Sequence, residues 1–344
     1  MKLGITGLSG AGKSTIFEAL TRNIQEEGRK VENRIGIIDV PDSRVGVLSD
    51  MHKPAKTIFA KVEYYLPAIR AQKADAKKDL NIWTPVRDCD ALIHVIRNFS
   101  GYGSASPAPY RDFIALDQEL ILADLVTVEK RMERIETDKK RGKKTDQEEL
   151  SLLAICLESL EKEIPFRRIP ETASAPALRG FAFVSAKPVL VLFNNDDNDL
   201  EFPDVLDLAA REECMVIRGK LEQELSRIPL GEVGDFLSEY GIKETARERV
   251  IKKSYELLGL ISFFTVGEDE VRAWTIKKET KALDAAEVIH SDIKKGFIRA
   301  EVVSYKDLID AGSHQEARKR GAVRLEGKTY QVQDGDIINF RFNV

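Results

Sequence analysis

The sequence predicts a doubly wound α/β domain that is interrupted by a helical hairpin and followed by a small α+β module. Apolar strand-like runs alternate with amphipathic helical stretches over much of the chain, which is typical of a mostly parallel sheet. A central stretch has only helical periodicity, and the C-terminal stretch alternates short strands with Gly-containing turns. The predicted domains are 1–115 with 180–260, the inserted hairpin 116–179, and the module 261–344.

The composition indicates a globular protein. The chain has 344 residues, a length that suggests about two or three domains, and 43% of them are hydrophobic. Lys+Arg 53 against Asp+Glu 57 give a formal net charge of −4, which does not indicate a general nucleic-acid binder but permits a local basic patch. The 3 cysteines lie far apart, so they favour buried thiols over a disulfide framework or a metal cluster.

The sequence offers no targeting or membrane segment. The first strand begins at Lys2, which leaves no room for a cleavable signal, and no apolar run approaches the roughly 20 residues that cross a bilayer. We therefore expect a soluble cytoplasmic protein.

A phosphate-binding loop is predicted between the first strand and the first helix. Lys2–Thr6 has strand character, residues 7–14 (GLSGAGKS) fit G-x-x-x-x-G-K-[ST] without a mismatch, and residues 16–22 have helical spacing. The glycines let successive backbone N–H groups converge on phosphate oxygens, and the helix adds the positive end of its dipole. A chance glycine-rich turn is the alternative, but it does not explain why strand, loop and helix occur in this order.

The loop supplies most of the predicted site residues. Lys13 is the predicted catalytic cation on the β- and γ-phosphates, and the Ser14 hydroxyl is the predicted Mg²⁺ ligand. The full predicted nucleotide-binding set of the loop is Gly7, Ser9, Gly10, Ala11, Gly12, Lys13, Ser14 and Thr15.

Further strands and helices follow the loop. The predicted strands lie at 35–40, 57–66, 90–99, 182–193 and 214–217, and the predicted helices at 43–51, 206–213, 221–225, 233–240 and 245–258. Loops are expected at 25–33 and 100–110. Ligands of such sheets bind at the carboxyl ends of the strands, where both the loop at 7–14 and the turn at Asn194–Asp197 fall.

The hairpin has a basic tip. Apolar residues recur at helical intervals on both sides of Asp138–Asp146 (DKKRGKKTD), which indicates two antiparallel helices that turn near Gly142. The tip, Lys139–Lys144, could contact RNA or another acidic surface. A solvated hairpin end is the alternative, because charge runs usually are solvated.

The C-terminal module has its own pattern. Strands are predicted in 263–276, 296–305, 322–325, 329–332 and 337–342, with a helix at 280–289 and a hairpin over Leu325–Gln333 that turns at 326–328.

The chain resembles the YchF subfamily of Obg-related P-loop NTPases over essentially its whole length. The resemblance is strongest at GLSGAGKST, at Val40–Leu48, at DALIHVIRNF, at Ala123–Glu136, and in the stretch from EVRAWTI to the C-terminus. It implies an N-terminal G domain, an inserted coiled-coil hairpin and a C-terminal TGS domain. Members of this family bind ATP or GTP, hydrolyse it slowly and associate with ribosomes.

The sequence also departs from the family. The Mg²⁺-associated D-x-x-G should follow a strand near Leu66, where this chain has Leu66–Ile69 (LPAI), and the switch-I threonine should fall near Lys30, where RKVEN has no Thr. The glycine-rich switch-II segment is replaced by QKADAKKDLN (72–81). Switching depends on such loops, so we expect hydrolysis to be impaired and Mg²⁺ to bind weakly. Asp39 or Asp42 could supply a carboxylate, although turn and capping roles are commoner for such residues.

Base recognition is assigned to Asn194 and Asp197. In the family the corresponding motif is N-x-x-E, which reads adenine, whereas N-K-x-D of common GTPases reads guanine through an Asp that accepts two N–H bonds. Asp197 therefore favours GTP slightly, with ATP as the alternative, and an acidic turn is the structural alternative. The triplet Ser185-Ala186-Lys187 resembles a GTPase base loop but precedes the Asn194 strand, so we interpret it as a coincidence.

Two hypotheses about function remain. The first is a slow or impaired Mg²⁺-dependent GTPase or ATPase that acts as a ribosome-associated regulator. The second is a catalytically decayed nucleotide-binding adaptor that works through RNA, ribosome or protein binding by the hairpin and the TGS-like domain. The 4 histidines offer no third hypothesis, because none has a partner at ligand or triad spacing and His94 is predicted to be a core-edge residue.

Overall fold

The protein divides into two compact units. The computed structural model describes residues 1–23, 32–68, 80–101, 106–228, 237 and 244–343. The first unit comprises Met1–Ile37 with Glu63–Val250, and the second comprises Ile38–Val62 with Ile251–Val344. Ile38–Val62, which the sequence predicts to be part of the first domain, therefore clusters with the C-terminal residues.

A six-stranded sheet organises the first unit. Its strands are β1 (Lys2–Thr6), β2 (Arg34–Asp39), β4 (Lys61–Leu66), β5 (Ala91–Asn98), β6 (Val189–Asn195) and β7 (Glu213–Ile217), in the order β2-β4-β1-β5-β6-β7. The pairs β4–β1, β1–β5, β5–β6 and β6–β7 are parallel. The apolar runs of β5 and β6 are buried because helices cover both faces of such a sheet. The predicted α/β fold class is confirmed.

Helices of the first unit follow the prediction in most places. They are α1 (Lys13–Thr21), α3 (Pro109–Lys140), α4 (Gln147–Glu161), α5 (Pro170–Ala173), α6 (Leu206–Ala209), α7 (Gly219–Arg227) and the start of α8 (Ala246–Leu257). The helix predicted at 206–213 is wrong in its second half, because the helix ends at Ala209, a turn follows, and β7 begins at Glu213. Within the described residues no helix is long and apolar enough to span a membrane.

The predicted helical hairpin is present, and its root belongs to the core of the first unit. Helices α3 and α4 pack together and are joined by a turn in which Gly142 has a positive φ of 78°. Asp146 caps α4 by accepting hydrogen bonds from the backbone N–H groups of Glu148 and Glu149. The first turns of α3 place Phe113 and Leu116 in the same apolar cluster as the inward residues of β5 and β6.

A buried carboxylate fixes α3 to the chain before β6. The Asp124 side chain is inaccessible to solvent and accepts hydrogen bonds from the N–H groups of Val184 (3.1 Å) and Ser185 (2.7 Å). Arg87 lies 3.6 Å from the same carboxylate. Burial raises the pKa of Asp124, while the two N–H donors and Arg87 oppose that shift. Because these N–H groups serve Asp124, the strand predicted over 182–193 is wrong for its first seven residues and begins at Val189.

The second unit contains another six-stranded sheet. Its strands are β3 (Lys56–Ile58), β8 (Leu260–Val266), β9 (Glu270–Lys277), β10 (Phe297–Ser304), β11 (Arg324–Glu326) and β12 (Asp336–Phe342), in the order β11-β10-β12-β8-β9-β3. The helices are α2 (Ser43–His52), α9 (Ala282–Ile289), α10 (Ser291–Lys295), α11 (Tyr305–Ala311) and α12 (His314–Lys319).

Two interactions explain why the early segment belongs to this unit. Strand β3 pairs in parallel with β9. The Arg44 guanidinium contacts the carboxylates of both Asp42 (2.8 Å) and Asp334 (2.7 Å) and lies over the Phe264 ring. The sequence does not indicate these contacts, because β3 and Arg44 meet partners far along the chain, 290 positions away in the case of Asp334. Asp42 is committed to Arg44 and to the cap of α2.

Three further predictions of secondary structure need correction. Residues 57–66 form two strands, and the strand at 329–332 is wrong, since only an isolated bridge joins Lys281 and Gln331 there. Asp336 instead holds this segment as a turn, because its carboxylate accepts hydrogen bonds from the Tyr330 hydroxyl (2.7 Å) and the Gln333 N–H (2.9 Å). Strand β11 therefore pairs with β10 and not within a hairpin over 325–333.

Some predictions lie outside the described residues. These are the helix over 233–240 apart from Leu237, most of the loop over 25–33, part of the loop over 100–110, and the switch segments at 29–31 and 72–79.

We predict that Asp124→Ala lowers the free energy of unfolding by about 3–5 kcal/mol. The substitution leaves two buried N–H groups without an acceptor and removes the carboxylate that lies beside Arg87. Urea unfolding followed by circular dichroism measures this loss. Glu129→Ala, at an exposed position of the same helix, is the matched control and should change stability by less than about 0.5 kcal/mol. Equal stability of the two variants would contradict the role given to Asp124.

Candidate functional site

The predicted phosphate-binding loop lies at the carboxyl edge of the first sheet. It leaves β1 at Thr6 and enters α1 at Lys13, and β1 is a central strand of the sheet. Asn194 and Asn195 end β6, and Ile217 ends β7, at the same edge of this parallel sheet. The structure therefore brings the loop and the Asn194 turn together.

Two glycines allow the loop to pack closely. A Cβ atom at Gly7 would lie closer than 3.0 Å to the carbonyl oxygen of Val95, and one at Gly12 would lie as close to the Asn194 amide nitrogen. Both glycines also have a positive φ, of 151° and 92°. A side chain at either position would displace the loop from β5 or from β6.

The residues of the loop differ in their contacts and in their exposure to solvent. Lys13 Nζ donates hydrogen bonds to the carbonyl oxygens of Gly7 (2.8 Å) and Leu8 (2.7 Å), and burial lowers the pKa of Lys13. Ser9, Gly10 and Ser14 are exposed. Ala11 is buried, and Thr15 is half-buried at the start of α1. The ammonium thus lies over the loop, where phosphate oxygens could replace its two carbonyl partners.

Asn194 joins the loop to the start of α7. Its side-chain nitrogen donates a hydrogen bond to the carbonyl oxygen of Ala11 (3.1 Å), and its side-chain oxygen accepts one from the N–H of Gly219 (2.9 Å). The residue is buried, so these bonds satisfy its amide away from water. Asn194 therefore fixes the distance between β1, β6 and β7 at this edge.

Asp197 lies beside the same helix start. One oxygen of its carboxylate accepts a hydrogen bond from the N–H of Leu221 (3.0 Å), and Arg218 donates to its backbone carbonyl (3.3 Å). Asn195 is directed elsewhere: it is buried and donates to the carbonyl oxygen of Glu201 (2.8 Å). The chain thus has Asn195, and no lysine, directly after Asn194, and its carboxylate beside the helix start is that of Asp197.

The sequence does not single out Arg218 and Gly219, which follow β7 and contact Asp197 and Asn194, respectively. The signal that could have found them is a short strand followed directly by a helix, two elements after the Asn194 turn. Ser185-Ala186-Lys187 lies instead at the amino end of β6, where Lys187 donates a hydrogen bond to the carbonyl oxygen of Cys89 (2.6 Å). Its position agrees with the interpretation that its likeness to a base loop is a coincidence.

The site has few ligands for a metal ion. In parallel register with β1, the end of β4 carries Leu66, Pro67 and Ala68, and Leu66 is buried. Within the described part of the chain, no group of three His, Cys, Asp or Glu side chains is placed to hold a metal. Ser14 is the loop residue whose exposed hydroxyl fits Mg²⁺, so the metal would depend on that hydroxyl, phosphate oxygens and water.

One buried histidine lies next to the loop. His94, on β5, is fully buried and pairs in register with Thr6, the last residue of β1. Its Nδ1 atom lies 2.5 Å from Thr6 Oγ1. Burial first, and then the nearby Arg167 guanidinium, lower its pKa to about 4, against a smaller opposing effect of Asp117. The sequence predicts a core-edge position, whereas the structure places it in the core.

The fold and site define a P-loop NTPase of the G-domain type. A family model named YchF-GTPase_C, described as a protein of unknown function (DUF933), matches residues 260–343. "Ribosome-binding ATPase YchF" of Bacillus subtilis is 38% identical and covers 99% of both chains. The protein of the same name from Escherichia coli O157:H7 is 35% identical over 100% of this chain and 99% of its own.

Solved structures agree with this assignment. The Schizosaccharomyces pombe YchF GTPase superposes with a TM-score of 0.81 at 26% identity, over 99% of this chain and 97% of that one. A GTP-binding protein from Pyrococcus horikoshii shares the fold, with a TM-score of 0.60 at 19% identity over 100% of both chains. The chain belongs to the YchF family.

We predict that His94 makes stability depend on pH. Its pKa of about 4 lies below the ordinary value of 6.5, so the unfolded chain binds the proton more readily. The contribution is complete above pH 6.5 and is lost as the pH falls toward 4, by up to about 3 kcal/mol. Urea unfolding at pH 7, 6, 5 and 4.5 measures the slope, and His94→Asn should flatten it; an unchanged slope in that variant would contradict the assignment.

Proposed function

We propose that the chain binds a purine nucleoside triphosphate at the loop formed by residues 7–15. The observation that carries the proposal is the packing of this loop, which has three positive-φ glycines, a lysine over the loop, and the buried Asn194 amide that bonds the loop to a helix start. An exposed Ser14 leaves one hydroxyl for Mg²⁺. The relatives named as ATPases and GTPases support the same ligand class.

We propose that turnover is slow or impaired. The carboxylate that holds Mg²⁺ in P-loop NTPases has no counterpart at Leu66–Ala68, so the metal has weaker support from the protein. Loss of one transition-state contact costs on the order of 10²–10³ in rate. The alternative function is a nucleotide-binding adaptor that has lost hydrolysis. The missing carboxylate at the end of β4 favours this alternative.

We predict that Lys13→Ala abolishes nucleotide binding and any Mg²⁺-dependent hydrolysis, because the phosphates lose their cation. Fluorescent-analogue binding and phosphate release measure the two effects separately. Lys220→Ala, on α7, is the matched lysine control and should retain both. Binding without turnover in the unaltered protein favours the adaptor, and turnover that survives Lys13→Ala would contradict the proposed site.

Base preference is proposed from Asp197. One oxygen of its carboxylate accepts a hydrogen bond from the Leu221 N–H. The lone pairs of the other oxygen could accept hydrogen bonds from the adjacent N1–H and N2–H donors of guanine, a donor pair that adenine lacks. We therefore propose GTP over ATP, by a small margin, since the similar bacterial relatives carry the name ATPase.

We predict that Asp197→Glu raises the ratio of the GTP dissociation constant to the ATP dissociation constant by about tenfold, because the longer side chain changes the fit to the guanine N–H pair. Competition titrations with both nucleotides give the ratio. Asp207→Glu, at an exposed position of α6, is the control. An unchanged ratio in Asp197→Glu would mean that Asp197 does not read the base.

We propose that the protein acts on ribosomes in the cytoplasm. Support comes from the relatives named ribosome-binding ATPases and from the exposed cations of the hairpin tip. Within the tip Lys143 pairs with Asp138 (2.8 Å). We propose that residues 261–344 form a TGS-like domain and that residues 1–115 with 180–260 form the G domain. The TGS-like domain is a second candidate surface for RNA or ribosome contact.

We predict that neutralising the tip lowers ribosome cosedimentation by about tenfold and flattens its salt dependence, because each lost phosphate contact reduces counterion release. The neutralised residues are Lys139, Lys140, Arg141, Lys143 and Lys144. Lys130→Gln with Lys162→Gln, on the same hairpin away from the tip, should leave cosedimentation unchanged. If the tip variant sediments like the unaltered protein, the contact lies elsewhere.

A further inference from the structure

His94 contacts the last residue of β1, the strand that leads into the phosphate-binding loop. Its Nδ1 atom and the Thr6 hydroxyl are 2.5 Å apart, and that hydroxyl also lies 3.2 Å from the carbonyl oxygen of Ile93. A hydroxyl has one proton, so both contacts are satisfied when Nδ1–H donates to Thr6 and Thr6 donates to Ile93. This arrangement places the imidazole proton on Nδ1 and leaves Nε2 without one.

Strand β5 contacts the loop on both sides of this junction. Thr6 is the last residue of β1, and Gly7 follows it. The carbonyl oxygen of Val95, one residue after His94, lies so close to Gly7 that no side chain fits there. A shift of β5 at His94 therefore moves the first residue of the phosphate cradle.

The opposite side of His94 meets the root of the hairpin. The Phe113 ring of α3 packs on the imidazole, with 6.2 Å between ring centroids. One turn later, Asp117 forms a two-point ion pair with Arg167, at 2.7 and 2.9 Å, and Arg167 also contacts Glu212 (2.9 Å). Asp117 and Arg167 are the charged groups whose fields act on His94.

The hairpin root has space beside it. A cavity of about 410 Å³ is lined by Phe113, Asp117 and Arg167, among other residues of α3 and of the chain around α6. Helix α3 is continuous over 32 residues, which is roughly 48 Å at 1.5 Å per residue, and its far end carries the basic tip. One continuous helix therefore joins the basic tip to Phe113 and Asp117.

A packing role alone does not account for His94. Its Nε2 atom is buried and has no hydrogen-bond partner among the described residues, a cost that an apolar side chain at this position would avoid. The imidazole instead supplies an Nδ1–H donor to Thr6 at the end of β1 while its ring packs against Phe113 of α3.

We propose that His94 is a positioning residue that couples the root of the hairpin to the start of the phosphate-binding loop through Thr6. The inference rests on the proposed nucleotide binding. Coupling of this kind is reciprocal, so a partner bound at the hairpin tip changes nucleotide affinity by the same factor by which nucleotide changes affinity for that partner.

The test is a double-mutant cycle on the dissociation constant of a non-hydrolysable nucleotide analogue, measured by calorimetry on the full chain. Thr6→Val keeps the shape but removes the hydroxyl, and it should weaken binding about five- to tenfold, whereas Thr6→Ser should restore it to within about twofold. Asp117→Asn should weaken binding about two- to fivefold. The double variant Thr6→Val/Asp117→Asn should be no weaker than Thr6→Val alone, because the link is already broken.

Matched measurements separate coupling from loss of fold. Arg131→Gln, which removes an ion pair with Glu149 farther along α3, should leave affinity unchanged. The ¹⁵N signals of the His94 imidazole, assigned with His94→Asn, should show the Nδ1–H tautomer and should shift when the analogue binds.

Multiplicative effects of Thr6→Val and Asp117→Asn, or unmoved His94 signals in a protein that binds nucleotide, overturn the coupling and leave the proposed function standing. Equal failure of the unaltered protein and Lys13→Ala to bind overturns both proposals.

Discussion

The site depends on the close approach of the loop to the two strands beside it. Gly7 lies against the β5 backbone, and the Asn194 amide spans from the Ala11 carbonyl to the Gly219 N–H. These contacts leave no room for a side chain at Gly7 or Gly12, and they use a buried amide whose bonds cannot be replaced by water. The loop therefore holds its shape through the sheet, and the parallel order β4-β1-β5-β6-β7 is the condition for it.

The tightly packed phosphate-binding loop contrasts with the end of β4. Apolar Leu66 and Pro67 stand where P-loop NTPases carry the carboxylate for Mg²⁺. This contrast is the basis of the proposal that the chain binds a nucleotide but hydrolyses it slowly. The long helix α3, anchored by Asp124 and packed on His94, then gives a physical route by which a bound nucleotide and a partner at the hairpin affect one another.

Much of the fold follows from the sequence, because local periodicity determines it. The loop at 7–14, the buried strand β5 and the hairpin are set by patterns within short windows. The two wrongly predicted strand segments, 182–188 and 329–332, share one cause, which is a buried carboxylate that holds the backbone outside a strand. Asp124 accepts hydrogen bonds from two N–H groups that a strand at 182–188 would have used, and Asp336 holds 329–332 as a turn through the Tyr330 hydroxyl and the Gln333 N–H. The place of β3 beside β9 and the contact of residue 218 with Asp197 equally depend on distant partners.

Calorimetric titration of the purified, nucleotide-free protein with non-hydrolysable GTP and ATP analogues, each with and without Mg²⁺, tests the central claim most directly. We expect micromolar or tighter binding with a modest preference for the GTP analogue. We also expect that removing Mg²⁺ weakens binding by less than about tenfold, since one hydroxyl is the protein's only expected ligand to the metal among the residues described. Failure of both analogues to bind would contradict the account, and a requirement for Mg²⁺ would contradict its view of β4.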